Sequence, residues 1–267
     1  NLYKMKLIGI SDNIKSNLFK IKVWADSFRE VCDGDICLLA VSPTTEEIMA
    51  LSDMGIGIVI AKIGDGSVND QRLGIIEEYL RTQKDELFLI TDVFDVLFQA
   101  DPFKKWDLKY DIFVGSECLM LSQEPWNRDV ISKCFDFPQD AEIICSGVIG
   151  GKRNALISLY GKMHKMCVNA RKAHDIRDQA ALIILMAQGE VPNVQVFHLD
   201  DGWVAHCAVS GPTQFLDAWG FRKNIKYSLP QLVDGKITNG RVFDIVHQFN
   251  RIPEWYSTLT EKYGNSK

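Results

Sequence analysis

Residues Asp85–Phe103 read DELFLITDVFDVLFQADPF. The apolar run Leu87–Ile90 opens onto Asp92, and a second carboxylate follows at Asp95. An unbroken apolar run of this kind is a core strand of a sheet covered on both faces. Two acids at its end cost desolvation energy unless positive charge meets them. A divalent cation is the expected partner, since hard carboxylate oxygens suit Mg²⁺ or Mn²⁺. If that cation also holds a diphosphate, the site is one for a nucleotide or a nucleotide sugar. The structural alternative makes Asp92 a helix cap and Asp95 a surface acid. Asp101-Pro102-Phe103 is better suited to such a role, as an Asp-Pro turn.

Working outward, Asp35–Ser42 (DICLLAVS) reads as a strand, and Thr44-Thr45-Glu46-Glu47 starts a helix with acids where the dipole favours them. Gly55–Ala61 (GIGIVIA) is a β-branched strand and Gly64–Ser67 a loop. Asn69–Gln83 has helical periodicity through Leu73, Ile76 and Leu80, ahead of the strand carrying Asp92 and Asp95. Asp111–Glu117 and Glu142–Gly151 read as further strands, the latter with a break at Ser146-Gly147. Helices follow over Asn154–Cys167 and Arg177–Gln188, then late strands over Val194–Leu199 and Val242–Val246. A C-terminal helix spans Ile252–Tyr263, opened by Pro253. Gly211–Gly240 is the least regular part, a loop-rich flap over the site. Alternating strands and helices define an α/β fold with a mostly parallel central sheet and helices on both faces. Functional groups in such sheets gather outside the carboxyl ends of the strands, where Asp92 and Asp95 stand.

The bulk composition narrows the function classes. The 267 residues carry a formal net charge of −5, which leaves no electrostatic footprint for nucleic acid but does not argue against a nucleotide. No apolar run approaches the roughly 18 residues a membrane span needs. The first residue is not Met, so the chain reads as processed or as a domain of a longer protein. Seven scattered cysteines form no CxxC pair, and several lie in apolar runs, which fits buried free thiols in a reducing compartment.

Other residues carry a functional and a structural reading side by side. His247 ends the strand FDIVH; a lone histidine is more often a satisfied group than a ligand, but this one is placed as a third ligand for a cation held by two earlier carboxylates. His164, His174, His198 and His206 lack such a setting. Ser146 and Gly147 either bend a strand or let a ligand approach backbone N–H groups. Asp175, Asp178 and Gln179 open a helix, so capping explains at least one acid, while Asp178 and Gln179 also suit a sugar. Arg72 is either a surface cation or a diphosphate ligand. Glu117 is loop decoration or a site acid, and Asp200-Asp201 a weaker case of the same kind.

In order along the chain, TDVFDVLFQADPF, GSE, CSGVIGG, RDQAAL and VHQFNRIPEW resemble a family of GT-A-type glycosyltransferases found in bacterial polysaccharide and O-antigen assembly. A more distant likeness is to the glycosyltransferase domain of procollagen lysyl hydroxylases, with its acid-x-x-acid motif and late histidine. The resemblance covers roughly residues 35–256. It implies a Rossmann-like GT-A fold in one domain over residues 1–267, standing alone or as a module of a larger protein. The implied activity is transfer of a hexosyl or N-acetylhexosaminyl group from a nucleotide sugar, UDP-sugars first among donors. The acceptor would be a glycan or lipid-linked hydroxyl, and the cation Mn²⁺ or Mg²⁺.

The same resemblance puts Asp92, Asp95 and His247 at the metal and lines the sugar and acceptor region with Ser146, Gly147, Asp178 and Gln179. Asp92 doubles as a donor-binding residue, through the ribose or a metal-bound water, because the motif is Asp-Val-Phe-Asp and not the commoner Asp-x-Asp. Arg72 belongs to the same donor group. Were configuration inverted, a carboxylate would take the acceptor proton, Asp178 first and Glu117 second. The implied location is cytoplasmic, at most peripheral to the inner face of the membrane. Two rivals stand beside this reading. A nucleotidyltransferase would want a Gly-rich basic loop where SPTTEE stands, and a non-catalytic glycan-binding module would need no nucleotide.

Overall fold

The computed structural model describes residues 4–63, 68–171, 177–212 and 220–264. Its centre is a seven-stranded sheet in the order β3-β2-β1-β4-β7-β6-β8. The strands are β1 (Met5–Ser11), β2 (Asp35–Val41), β3 (Gly57–Ala61), β4 (Leu87–Thr91), β6 (Ile112–Met120), β7 (Glu142–Lys152) and β8 (Val194–Phe197). Neighbours pair in parallel except that β7 runs antiparallel to both β4 and β6. A smaller sheet in the order β5-β12-β9 joins β5 (Val96–Phe98), β9 (Val204–His206) and β12 (Ile245–His247).

The helices are α1 (Ile14–Val31), α2 (Thr45–Asp53), α3 (Val68–Thr82), α4 (Pro125–Cys134), α5 (Arg153–Val168), α6 (Arg177–Ala187), α7 (Cys207–Ser210) and α8 (Pro253–Thr260). Two of the three large apolar clusters set the layers on the central sheet. Trp24, Phe28, Leu38, Leu89 and Phe113 pack beneath α1, while Leu73, Leu80, Phe88, Leu156 and Met163 pack beneath α3 and α5. Strands β2 and β4 therefore bury both faces, which is why they read as continuous apolar runs.

Several expectations hold with small shifts of boundary, and some do not. Thr44 caps α2 with a capping box to Glu47, as the acids of its first turn suggested. Asp101 Oδ1 accepts from Phe103 N at 3.0 Å, the expected Asp-Pro turn. Asp92 and Asp95, however, lie on the bend between β4 and β5, not on a strand. Ser146-Gly147 does not break its strand: β7 is continuous, and the irregularity is a shift in its pairing register with β6, with Val114 opposite Ile149 and Ser116 opposite Ile144. The region 211–240 is only partly described; its described part holds a hairpin of β10 (Gln231–Val233) and β11 (Lys236–Thr238), tied to the body by Gln99 Nε2 donating to Ile237 O at 3.0 Å. The expected loop Gly64–Ser67 lies outside the described residues. Among the described residues no helix is long and apolar enough to cross a membrane.

Candidate active site

The bend between β4 and β5 is held in place by what lies between its two acids. Val93 is buried against α1 and β1, and Phe94 packs partly on the same cluster. A side chain at Gly9 of β1 would come within 2.3 Å of Val93, so glycine there leaves the space the bend needs. Trp24 Nε1 donates to Thr91 Oγ1 at 2.8 Å, fixing the end of β4. With Val93 turned inward, the carboxylates on either side of Val93-Phe94 face the crevice at the strand ends.

His247 reaches the same point through the small sheet. In its register His247 pairs with Val96, the residue after Asp95, and with His206 on the other side. The chain turns sharply after it: Gln248 has φ 62, and its N–H donates to the Asp95 carbonyl at 2.7 Å. His247 Nε2 thus stands 3.5 Å from Asp92 Oδ2 and 3.8 Å from Asp95 Oδ1. The donor atoms of these three residues all lie within 4.8 Å of one another. The buried Nε2 makes no hydrogen bond, and a Cβ on Gly147 would fall 2.7 Å from Asp92 Oδ2 and 2.8 Å from Nε2. Two carboxylates, a free imidazole nitrogen and a glycine-lined space fit a divalent cation.

Charge around this point is strongly shaped. Burial would raise the Asp92 carboxyl, but Arg72 and His247 hold it down at about 2. Burial pushes Asp95 up, and the neighbouring Asp92 adds to that. Burial opposes a charged His247, yet the Cys145 thiol and the two carboxylates keep its imidazole well above its usual value.

Arg72 is not the surface cation of one sequence reading. Its guanidinium is largely covered and bridges two acids, donating to Asp92 Oδ1 at 3.0 Å and to Asp178 Oδ2. Ser146 Oγ donates to the same Asp178 oxygen at 3.0 Å. Among the described residues, Asp178 Oδ1 is buried without a hydrogen-bond partner. Arg72, Asp92, Ser146 and Asp178 line one cavity together with Thr91 and Tyr160.

Gln179 accepts from Ser146 N at 3.2 Å and donates to Asn127 Oδ1 at 2.9 Å and Glu117 Oε1 at 3.3 Å. Glu117 is buried, and burial together with Glu124 raises its carboxyl to about 7. Glu124 itself caps α4, accepting from Trp126 N at 2.7 Å and Asn127 N at 2.8 Å.

The structure therefore brings Arg72, Asp92, Asp95, Ser146, Gly147, Asp178, Gln179 and His247 into one connected region, with Glu117 at its edge through Gln179. Asp200 and Asp201 stand apart on an exposed turn, where Asp201 caps His198 N at 2.7 Å. His198 pairs with Glu142, and His164 lies against Gly74 between α5 and α3. Asp175 and His174 lie outside the described residues. Three residues that sequence reasoning did not place here are Asn127, Glu124 and His206. His206 lies against His247, and only the pairing of two strands distant in sequence reveals it.

The strand order and the crevice define an α/β fold of the GT-A glycosyltransferase type, and comparison with solved structures agrees. The galactosyltransferase LgtC, in complex with donor and acceptor sugar analogues, aligns over 98% of this chain and 98% of its own with a TM-score of 0.59 and 11% identity. An active-site mutant of LgtC aligns over the same shares with a TM-score of 0.60 and 11% identity. At that identity the likeness is one of fold. No protein-family model and no curated protein matches the chain in sequence.

Proposed function

We propose that this protein is a divalent-cation-dependent glycosyltransferase, moving a hexosyl or N-acetylhexosaminyl group from a nucleoside-diphosphate donor to a glycan or lipid-linked hydroxyl. The observation that carries this reading is the convergence of Asp92, Asp95 and His247 Nε2 at the strand-end crevice of a GT-A fold. The likeness to a galactosyltransferase solved with donor and acceptor sugar analogues supports the same donor and acceptor classes here. UDP-sugars are the first donors to try. A place in bacterial polysaccharide or O-antigen assembly, on the cytoplasmic side, follows from the sequence resemblance alone.

Asp95 and His247 would hold Mn²⁺ or Mg²⁺, with Asp92 completing the set through the oxygen that Arg72 leaves free. The cation would stabilise negative charge growing on the leaving diphosphate. Arg72 keeps Asp92 charged and orients Asp178. The unpaired Asp178 Oδ1 suits a sugar hydroxyl or, in an inverting reaction, the acceptor proton. The amide of Gln179, held by Ser146 N and Asn127, forms a rigid polar wall beside it. Glu117 lies one residue further back and is the second candidate for a base.

The test is release of nucleoside diphosphate from UDP-, GDP- and dTDP-sugars, with and without EDTA, by the wild type and Asp95→Ala. The proposal expects release from one donor class that EDTA and the substitution both abolish. Equal release by folded Asp95→Ala without divalent cation contradicts it.

A further inference from the structure

The two ring nitrogens of His247 have different neighbours. Nε2 faces Asp92 and Asp95, at 3.5 Å and 3.8 Å. Nδ1 faces inward, 3.1 Å from His206 Nδ1 and 3.5 Å from Cys145 Sγ. A neutral imidazole has one N–H and one bare nitrogen. For Nε2 to offer a lone pair to a cation, the hydrogen must sit on Nδ1, and a buried N–H there needs an acceptor. His206 Nδ1 lies at ordinary hydrogen-bond distance. Accepting there puts the His206 hydrogen on its own Nε2, which is buried with no hydrogen-bond partner among the described residues, a cost the arrangement carries. The Cys145 sulfur is a weaker acceptor, is further away, and already accepts from Gly147 N at 3.4 Å.

We propose that His206 is the positioning residue of this site: its Nδ1 accepts the Nδ1–H of His247 and holds that ring with a bare Nε2 turned toward Asp92 and Asp95. The inference rests on the cation-dependent reading above and deepens it. The fold builds the contact in. His206 and His247 are direct register partners on β9 and β12, with ring planes at 86° and centroids 5.4 Å apart. Both are about 1% exposed, so no bulk water competes for the shared hydrogen. A Cβ on Gly115 of β6 would come within 2.7 Å of His206 Nε2, so the ring occupies space that only glycine leaves open. Ser210 Oγ donates to the His206 carbonyl at 2.7 Å and ties down its backbone. Outer partners of this kind fix the tautomer and orientation of a liganding histidine.

Cys145, His206 and His247 also have donor atoms within 4.8 Å of one another, a set that a soft cation such as Zn²⁺ would favour. In that arrangement His247 Nδ1 would carry metal in place of hydrogen, so the test must separate the two.

The experiment is Mn²⁺ titration of wild type, His206→Leu and His206→Asn, with ¹⁵N-histidine spectra of the Mg²⁺-loaded protein to read the tautomer. The leucine variant should lose about 10- to 100-fold in Mn²⁺ affinity. The asparagine variant, whose side-chain oxygen can stand where Nδ1 stood, should recover most of that loss. The wild-type spectrum should show His247 protonated on Nδ1 and bare on Nε2. If His206→Leu does not fold, the wild-type spectrum and the asparagine variant decide.

A hydrogen on Nε2 of His247 in the loaded protein overturns the proposal, as does wild-type Mn²⁺ affinity in a folded leucine variant. Stoichiometric Zn²⁺ binding that Cys145→Ser removes also overturns it. If the wild type binds neither Mn²⁺ nor Mg²⁺, the cation reading itself has failed and the orientation argument falls with it. Cation binding that ignores His206 refutes the positioning role alone.

Discussion

His247 Nε2 stands 3.5 Å from Asp92 Oδ2, although one residue ends the last strand of the small sheet and the other follows β4 of the large one. The two sheets meet at this contact. Its geometry is inherited from ordinary backbone pairing: β5 continues directly from the bend that carries Asp95, and β12 pairs with β5 so that His247 lies opposite Val96. The donor set is thus assembled by strand register, and disturbing a single side chain should change the chemistry without undoing the fold.

Asp95→Ala should leave the fold intact, because the side chain is partly exposed and, among the described residues, makes no ion pair besides the long contact to His247. Transfer should fall by at least about 100-fold, the scale on which loss of one group that stabilises developing charge is felt. Circular dichroism and a donor-turnover assay on the same preparation check both halves.

Gly147→Ala asks whether the space between the ligands matters. The new methyl carbon would lie 2.7 Å from both Asp92 Oδ2 and His247 Cε1, and the buried imidazole has nowhere to retreat. A displacement of about 1 Å among reacting groups costs on the order of 100-fold in turnover. Turnover and Mn²⁺ affinity should fall together.

Arg72 holds two acids, one of them the fully buried Asp178. Arg72→Met keeps much of the volume but leaves the buried Asp178 without a cation and Asp92 with His247 alone, and should cost about 3 kcal/mol in urea unfolding. Adding Asp178→Asn to that variant should restore part of the loss. Independent, additive effects in the double variant would show that the pair does not act as a unit.

Glu117 gives a pH signature. Its carboxyl titrates near 4.5 when unperturbed and at about 7 in the folded protein, raised by burial and by Glu124. Between those values the folded protein holds a proton that the unfolded chain has released. The contribution of Glu117 to stability is therefore undiminished below about pH 4.5, declines as pH rises, and levels off above about pH 7, a total of roughly 3 kcal/mol. Glu117→Gln keeps an acceptor for Gln179 and removes the titration. The variant's stability advantage over wild type, measured by urea unfolding, should grow from pH 5 to pH 8; a constant difference across that range would contradict the assignment.

Much of the fold was legible in sequence because its central strands are buried on both faces. DICLLAV and LFLIT can be little else, and α3 carries a helical apolar pattern through Leu73, Ile76 and Leu80. The opening strand and helix, β1 and α1, were not read, although β1 sits in the middle of the sheet. MKLIGIS is short and mixed, and Gly9 weakens it as a strand until Val93 and Trp24 are seen filling the space it leaves.

At the site, the acids of the DVFD bend and His247 stand out because unpaired charge at a strand end needs a reason. Arg72 was ambiguous because its two partners lie far along the chain, and the double bridge to Asp92 and Asp178 exists only in three dimensions. His206 and Asn127 had no local signal at all. What gives them a role is the register of β9 against β12 and the capped start of α4 beside Gln179.

Calorimetric titration of UDP, GDP and dTDP, with and without Mn²⁺, on wild type and Asp95→Ala tests the central claim most directly. The account predicts that one nucleotide binds only when Mn²⁺ is present and that the substitution removes this binding. Failure of all three nucleotides to bind under any condition, in a folded protein, would contradict it and leave Asp92, Asp95 and His247 as a structural cluster.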